Sequence, residues 1–344
     1  MLVIHHPDQA LHDPQWALRR GKLMEAPDRA ERYGILLAAA RDDGHEEEIA
    51  PIGPIDPVLA VHDREYVEFL RTLYQRWSTM PDCGDYAVPD SHPTHRMHRK
   101  PKDLRGELGW YCNSTGCPVT AETWTAVHAS AQVAAHGARR VLEGVNAVYA
   151  LCRPPGHHVY PDLMSGSCFL NNASIAAQLL ATRFEKVALV DIDVHHGNGS
   201  QHIFYSRSDV LFCSVHVDPS VAPPFYVGYA DEEGEGLGRG CNINLPLPRG
   251  TRNASWLLAL DSALSKVEQF GAQAVVVSLG LDAGQHDPNG IFNITDDGFF
   301  EAGKRFAGLR RPTLLVQEGG YLSAYLGGYL KSFLRGFEND PPAG

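Results

Sequence analysis

The sequence predicts an α/β domain built on a mainly parallel β-sheet. Short apolar runs rich in β-branched residues recur along the 344 residues. Most of these runs are continuous rather than alternating, as expected of strands that are covered on both faces. Helical patterns lie between several of them, which favours parallel strand pairing. Polar clusters follow the runs directly, and ligands of open α/β sheets bind beyond the carboxyl ends of the strands.

The predicted strands and helices extend over the whole chain. The strand-like runs are LVI at the start, AVYALCRP near 150, KVALVDID near 190, VLFCSVHV near 213, CNINLPL near 244, AVVVSLGLD near 278 and TLLVQEGG near 316. TAETWTAVHASAQVAAHGARRVLEG predicts a helix with Thr120 as its N-cap and Gly144 as its stop. NNASIAAQLLATRF and ASWLLALDSALSKVEQFG predict two further helices. We therefore expect one domain over residues 1–340 and a short tail at 341–344.

Composition excludes several classes of protein. The formal net charge is −11, whereas nucleic-acid-binding domains are usually basic. The seven cysteines form no CxxC pair, which indicates a reduced, intracellular chain. The first residues lack the features of a signal peptide, and no run approaches the ~18 apolar residues of a membrane span. We expect a cytoplasmic protein that binds neither nucleic acid nor membrane.

One segment interrupts the alternation of strands and helices. Residues 81–118 are rich in proline, glycine and histidine and are locally basic. Loops of this length without structure of their own are usually functional or disordered. We predict a long loop insertion here.

The stretch LVDIDVHHGNGSQ, residues 189–201, has the residue types of a metal site. On an extended segment Asp191, Asp193 and His195 would share one side. A single Asp-x-His is more often a salt-bridged or capping cluster, but the attached HHGNG and the other polar clusters favour metal binding. Asp282 follows another apolar run and is a third candidate ligand, although an isolated aspartate would more often cap a turn. Three protein ligands and a position left for water are typical of catalytic zinc.

Other polar residues that follow predicted strands fit a catalytic site. His157 and His158 come after the rigid RPPG turn and are candidates for a general base and its partner. Asp191, if it does not bind metal, could orient one ring, and Asn198 could accept a hydrogen bond from the other. Tyr321 follows a glycine pair and could stabilise an oxyanion. Taken alone, this tyrosine would be interpreted as a packing residue.

The motifs CRPPGHH, CFLNNASIAA, VALVDIDVHHGNGSQHIFY, SLGLDAGQHDP and VQEGGY, in this order, resemble the zinc-dependent histone deacetylase superfamily. The chain is most similar to its class II-like bacterial branch, the acetylpolyamine amidohydrolases and histone deacetylase-like amidohydrolases. The likeness extends to VLAVHDREYVEFL near the start and to LGWYCNSTGCPVTAETW after the long segment. It implies the arginase-deacetylase fold, a single domain with a central, mainly parallel sheet of eight strands flanked by helices.

The resemblance also implies roles for the candidate residues. The zinc ligands of the family fall on Asp193, His195 and Asp282. The general base falls on His158, with His157 as an electrostatic partner that is hydrogen-bonded to Asp191. The oxyanion-stabilising tyrosine falls on Tyr321.

The resemblance further implies the number and kind of metal ions. A structural potassium ion would be held partly by main-chain carbonyls of Asp191, Asp193, His195, Ser214 and Val215. The related arginases hold two manganese ions and need a second aspartate where this chain has Gly284. A single catalytic ion is therefore expected, and its ligand set suits ferrous iron as well as Zn²⁺.

The chain departs from the family at positions that contact substrate. Family members usually line the acyl-lysine channel with two aromatic residues. The first position is Ser167 here, and the second falls on Pro223 unless Phe225 or Tyr226 replaces it. An acidic gatekeeper of a polyamine-selective animal relative aligns with Asn289, and a glutamate that contacts the amine in a bacterial polyamine enzyme aligns near Gly116. These losses weaken the case for a polyamine substrate. A wider mouth would also admit bulkier amides.

We predict zinc-dependent hydrolysis of small N-acyl amides, in the first place deacetylation of acetylpolyamine-type or acetyl-lysine-like substrates. The competing hypothesis keeps the zinc chemistry and makes the chain an amidase for aryl or other small organic amides. A third hypothesis is an inactive binding protein with the same fold. In polyamine-type relatives the segment that corresponds to residues 81–118 packs across a dimer and narrows the entrance. The resemblance therefore implies a homodimer or higher homo-oligomer and small substrates rather than histone tails.

Overall fold

The structure is a computed structural model that describes residues 1–92 and 98–339. The predicted tail at 341–344 lies outside the described residues. The strands are β1 Leu2–His5, β2 Trp16–Arg19, β3 Lys22–Glu25, β4 Glu46–Ile49, β5 Ala147–Ala150, β6 Val187–Asp191, β7 Val210–Val217, β8 Asn242–Leu247, β9 Ala274–Leu279 and β10 Thr313–Gln317. The helices are α1 Glu31–Asp42, α2 Asp56–Leu59, α3 Arg64–Trp77, α4 Leu104–Trp110, α5 Thr123–Leu142, α6 Asn172–Leu180, α7 Asn198–Phe204, α8 Asn253–Phe270, α9 Asp296–Gly308 and α10 Leu326–Glu338.

Eight of these strands form one parallel sheet in the order β4-β1-β5-β10-β9-β6-β7-β8. The predicted parallel sheet of eight strands is confirmed. All seven strand-like runs of the sequence belong to this sheet. The edge strand β4, EEEI, and the antiparallel hairpin of β2 and β3 were not predicted. Both are largely exposed and charged, so they lack the apolar pattern that identifies a buried strand.

Helices cover both faces of the sheet. Helices α1, α8, α9 and α10 pack on one face, and α5 and α6 pack on the other. Within β6, Ala188 and Val190 join the first core while Val187 and Leu189 join the second. This two-sided burial explains why the strand is a continuous apolar run. No helix in the described part of the chain combines the length and the apolarity that crossing a lipid bilayer requires.

The predicted start of helix α5 is wrong by two residues. The helix begins at Thr123, and its N-cap is Glu122 rather than Thr120. The Thr123 hydroxyl accepts a hydrogen bond from the Thr120 N–H at 2.7 Å. Residues 120–122 therefore form a turn before the helix and are not part of its first turn. The predicted stop agrees with the structure, because Gly144 lies just beyond the helix end with φ of +103°.

The segment 81–118 is not a loop throughout, which corrects the prediction. Residues 104–110 form α4, and the Asp103 side chain caps it by accepting a hydrogen bond from the Arg105 N–H at 2.9 Å. Leu104 and Leu108, one turn apart, are buried in a third apolar core with α3 and part of α5. Ala87 bridges to Val119. Residues 93–97 lie outside the described residues.

Burial of a neutral histidine predicts loss of stability in acid. His62 lies beyond α2, where its Nε2 accepts the Asn171 N–H at 2.9 Å and its Nδ1 is 3.2 Å from the Pro161 carbonyl. Burial lowers the pKa of His62 to about 4. The unfolded ring, with a pKa of about 6.5, takes up a proton that the folded ring does not. The stability present above pH 6.5 is therefore lost as the pH falls toward 4, with a slope of up to about 1.4 kcal/mol per pH unit.

Urea unfolding at several pH values between about 7.5 and 5 measures this slope. We expect His62→Gln to reduce the dependence of the unfolding free energy on pH, whatever its effect at neutral pH. His98→Gln is the matched control because His98 is exposed. Equal slopes for His62→Gln and the unmodified chain would contradict this account.

Candidate metal centre and active site

The carboxyl ends of three neighbouring strands carry the candidate residues. Strands β6, β9 and β10 are adjacent in the sheet and end at Asp191, Leu279 and Gln317. The segments that follow these ends hold the DIDVHH, GLDAG and EGGY motifs. Because parallel strands end at one edge, residues far apart in the chain converge there.

Two carboxylates and one imidazole come together at this edge. His195 Nδ1 lies 3.3 Å from Asp193 Oδ1 and 3.1 Å from Asp282 Oδ2. The three candidate ligand atoms all lie within 4.8 Å of one another. Asp193 and Asp282 are buried, and two buried carboxylates side by side require compensating positive charge. The donor set of two oxygens and one nitrogen fits a zinc ion.

Main-chain groups hold both carboxylates in place. Asp193 accepts hydrogen bonds from the N–H groups of His195 at 2.9 Å and Gly319 at 2.8 Å. Asp282 accepts the Val194 N–H at 3.0 Å. A Cβ atom at Gly319, or one at Gly280, would lie 2.4 Å from Asp193 Oδ2. Glycine at the ends of β9 and β10 therefore allows the backbone to approach this carboxylate closely.

The position that would carry a second aspartate in the two-metal relatives has no room for one. A Cβ atom at Gly284 would lie 2.2 Å from the Tyr329 ring, which is buried. A longer side chain would have to displace that ring from its packing with Phe299. Position 284 could therefore supply a second carboxylate only if Tyr329 moved.

The histidine pair makes the contacts that the sequence predicted. His157 Nδ1 lies 2.9 Å from Asp191 Oδ2, and His158 Nδ1 lies 2.7 Å from Asn198 Oδ1. The two ring centroids are 4.0 Å apart. The His158 ring also lies 5.9 Å from that of His195, so the pair adjoins the metal cluster.

The two histidines differ in charge. Burial would lower the pKa of His157, but the carboxylates of Asp193 and Asp191 outweigh it and raise this pKa to about 10. For His158, burial first, and then the neighbouring His157 and His195 rings, lower the pKa well below its ordinary value. One ring is therefore cationic and the other neutral near pH 7. Environments that push two pKa values apart are typical of acid–base pairs.

Sequence reasoning missed Glu318, although it lies within the VQEGGY motif. Its buried carboxylate accepts the N–H groups of Gly156 at 2.7 Å and His157 at 3.1 Å. Burial raises the pKa of Glu318 to about 7, although the positive charge of His157 opposes the rise. Glu318 thus fastens the RPPGHH turn to the end of β10. The signal was available, because Glu318 is an acid directly after a buried strand, as Asp282 is.

Arg32 and Asp287 position Tyr321. The Arg32 guanidinium donates to the carbonyls of Glu318 and Gly320 and lies 5.0 Å from the centroid of the Tyr321 ring. Asp287 accepts the Tyr321 N–H at 2.8 Å. Arg32 comes from α1, almost 300 positions away in the chain, so no local pattern could identify its role.

A cavity of about 380 Å³ opens onto the metal cluster. His158, His195 and Tyr321 line it together, as do four of the five candidate substrate-channel residues, namely Ser167, Pro223, Phe225 and Asn289. Tyr226 does not line this cavity. It borders an adjacent cavity of about 260 Å³, and its hydroxyl accepts a hydrogen bond from Asn113 at 3.1 Å.

Two of the channel residues lie at the wall and at the mouth of this cavity. Ser167 donates to the Gly116 carbonyl at 2.9 Å, so the small side chain turns toward the cavity wall. Phe225 is 57% exposed and stands at the mouth.

Residues 24–337 match the family model of the histone deacetylase domain. The chain belongs to the histone deacetylase family. It is accordingly a hydrolase that acts on amide bonds.

Relatives of this histone deacetylase family member include bacterial enzymes of the same length. It is 42% identical over 344 residues to acetylpolyamine amidohydrolase 1 of Pseudomonas aeruginosa, covering 98% of this chain and 99% of the relative. It is 42% identical to the acetylpolyamine amidohydrolase of Mycoplana ramosa, covering 93% and 95%. The crystal structure of an acetylpolyamine aminohydrolase from Burkholderia pseudomallei superimposes with a TM-score of 0.95 at 41% identity and covers 98% of both chains.

Removing one carboxylate of the cluster should abolish tight zinc binding. We expect Asp282→Ala to weaken zinc affinity by about 10²-fold or more, because two protein ligands remain. Metal content by mass spectrometry and competition with a chelator measure the change. Asp231→Asn, at an exposed loop position, is the control and should bind zinc as the unmodified chain does. Unchanged zinc affinity in Asp282→Ala would remove Asp282 from the ligand set.

Proposed function

We propose that this chain is a zinc-dependent amidohydrolase that deacylates small N-acyl amines of the acetylpolyamine type. One observation carries the proposal: a neutral buried histidine, His158, lines the same cavity as His195 of the metal cluster and Tyr321. The names of the bacterial relatives support the substrate class. The small cavity supports compact amides over large peptides.

Asp193, His195 and Asp282 would hold the zinc ion, which supplies polarisation of the amide carbonyl and a lowered pKa of the attacking water. His158 accepts the proton that this water loses. Its contact with Asn198 Oδ1 requires the proton to sit on Nδ1, so Nε2 carries the lone pair. The depressed pKa keeps the ring neutral and ready to accept a proton.

Two further residues act on the reacting amide. The Tyr321 hydroxyl donates a hydrogen bond to the oxyanion that develops on the carbonyl, and its raised pKa keeps the proton on the phenol. The positive charge of His157, held by Asp191, stabilises negative charge beside it. The departing nitrogen takes its proton from a histidine, and the water hydroxyl stays on the acyl carbon.

We further propose a potassium site, a single domain, a cytoplasmic location and a homo-oligomeric state. A structural potassium ion is bound by main-chain carbonyls of Asp191, Asp193, His195, Ser214 and Val215; the direct pairing of Asp191 with Ser214 across β6 and β7 supports this neighbourhood. The chain forms one domain over residues 1–340 and acts in the cytoplasm. It assembles as a homodimer or a higher homo-oligomer through residues 81–118, which light scattering after size-exclusion chromatography tests.

The two assigned catalytic side chains should be tested with the metal in place. We expect His158→Ala and Tyr321→Phe each to lower turnover by about 10²-fold or more, because each removes a group that acts on the transition state. Zinc content is measured on the same samples to exclude metal loss. Tyr205→Phe, outside the cavity, is the control. Near-normal turnover in either variant would remove that residue from its role.

A substrate panel separates the proposal from the aryl amidase, which Ser167 and Pro223 favour because neither of these two lining side chains is aromatic. Turnover of N-acetylputrescine, an acetyl-lysine peptide and acetanilide is compared on zinc-reconstituted enzyme. We expect N-acetylputrescine to have the highest kcat/KM of the three. A clear preference for acetanilide would favour the amidase for aryl amides instead.

A further inference from the structure

A second cavity of about 260 Å³, here named the side cavity, adjoins the catalytic cavity. Five of the described residues line both cavities: Ser114, His158, Gly166, Pro223 and Phe225. Four others line only the side cavity: Asn113, Ser165, Pro224 and Tyr226. The proposed general base therefore borders both cavities.

The reacting amide belongs to the catalytic cavity. His195 and Tyr321 line that cavity and not the side cavity, so the amide carbonyl has to lie there. Because His158 borders both, the chain that follows the amide nitrogen has two ways to leave. It can run to the mouth of the catalytic cavity, or it can turn at His158 into the side cavity.

The two ways out differ in charge. Three exposed arginines line the catalytic cavity: Arg19 and Arg20 at the tip of the β2–β3 hairpin, and Arg249 in the loop after β8. Among the described residues that line the side cavity there is no arginine or lysine. An ammonium group would meet like charges on the first way and none of these on the second.

The side cavity offers groups that bind a cation. Phe225 and Tyr226 line it, and an ammonium group is attracted to the face of an aromatic ring. The Asn113 side chain donates its amide N–H to the Tyr226 hydroxyl at 3.1 Å. The amide oxygen of Asn113 is therefore the end of this group that can accept a hydrogen bond from an ammonium.

Phe225 has an unusual backbone conformation at the border between the two cavities. Its φ of +65° lies in the left-handed region, which an aromatic residue seldom adopts. The Phe225 carbonyl accepts the Tyr229 hydroxyl at 2.8 Å, which helps to hold this conformation. The ring is 57% exposed, so burial of the ring does not account for it. Such conformations are concentrated at sites where a ligand binds.

We propose that the side cavity binds the ammonium-bearing arm of an N-acetylated polyamine. The inference rests on the proposed function and assigns a place to the part of the substrate that the reaction leaves unchanged. The acetamide lies beside Tyr321, and the chain turns at His158. The ammonium group then contacts the rings of Phe225 and Tyr226 and the amide oxygen of Asn113.

Two matched amides test whether the enzyme recognises this ammonium group. N-acetylputrescine and N-pentylacetamide both have four methylenes after the amide nitrogen, and they end in an ammonium group and a methyl group. We expect kcat/KM to be higher for N-acetylputrescine by about fivefold or more, because aromatic faces attract the cation. A ratio of the two kcat/KM values at or below one would overturn the inference.

A pair of lysine variants locates the ammonium group. Asn113→Lys adds a positive charge to the side cavity, and Val221→Lys adds one at an exposed position of the catalytic cavity. We expect the ratio to fall about fivefold further in Asn113→Lys than in Val221→Lys, because the nearer charge repels more strongly. Gln269→Lys, exposed on α8 and outside both cavities, is the control and should keep the ratio. Equal falls, or a larger fall in Val221→Lys, would overturn the inference.

A second pair of variants tests the aromatic contact. Tyr226→Leu removes the ring and should lower the ratio by about threefold or more. Tyr226→Phe keeps the ring, loses only the hydroxyl that Asn113 contacts, and should retain most of the ratio. An unchanged ratio in Tyr226→Leu would overturn the inference. Circular dichroism checks that every variant is folded.

Calorimetry distinguishes failure of this inference from failure of the proposed function. Hydrolysis of both amides without the expected ratios would overturn the inference and leave the proposed function standing. Absence of hydrolysis would overturn the proposed function, and binding would then decide the inference. Weaker binding of N-acetylputrescine to Asn113→Lys than to Val221→Lys would support the side cavity, and equal binding would overturn it.

Discussion

The burial of Asp193 and Asp282 beside His195 is the constraint on which the rest of the active site depends. Two carboxylates removed from water at close range repel each other unless positive charge and hydrogen-bond donors compensate. Main-chain N–H groups from the ends of neighbouring strands supply the donors. The protonated ring of His157 supplies positive charge on one side, and a divalent cation between the three ligand atoms would supply the rest.

Further buried polar groups, next to the metal cluster, hold the loops of the active site against the sheet. Arg32 and Arg153 both pair with the buried carboxylate of Asp28. Arg153 also donates to the carbonyls of Gln9 at 2.6 Å and His12 at 2.6 Å, so the CRPPGHH turn is tied to the amino-terminal part of the chain. Glu318 ties the other end of that turn to β10. Because buried charges are costly when unpaired, losing one partner would disturb the whole layer.

The bottom of the cavity and its mouth differ in how deeply their side chains are buried. At the bottom, His158, Asp193 and Asp282 are buried and hydrogen-bonded, which leaves little freedom for change. At the mouth, Arg19, Arg20 and Arg249 are exposed side chains on surface loops, where substitutions alter charge without disturbing the core.

The sequence by itself predicted seven of the eight strands of the parallel sheet and the residues that meet at its carboxyl edge. Buried parallel strands are continuous apolar runs, and an acid or histidine directly after such a run is unusual enough to mark Asp193, His195 and Asp282. Local sequence patterns did not predict two elements that tertiary contacts stabilise. The charged strand β4 pairs with β1, and α4 forms where Leu104 and Leu108 are buried in a separate apolar core. The tertiary structure alone decided that Arg32 supports Tyr321 and that arginines from two distant loops meet at one mouth. Such contacts join residues hundreds of positions apart, and no periodicity in the chain encodes them.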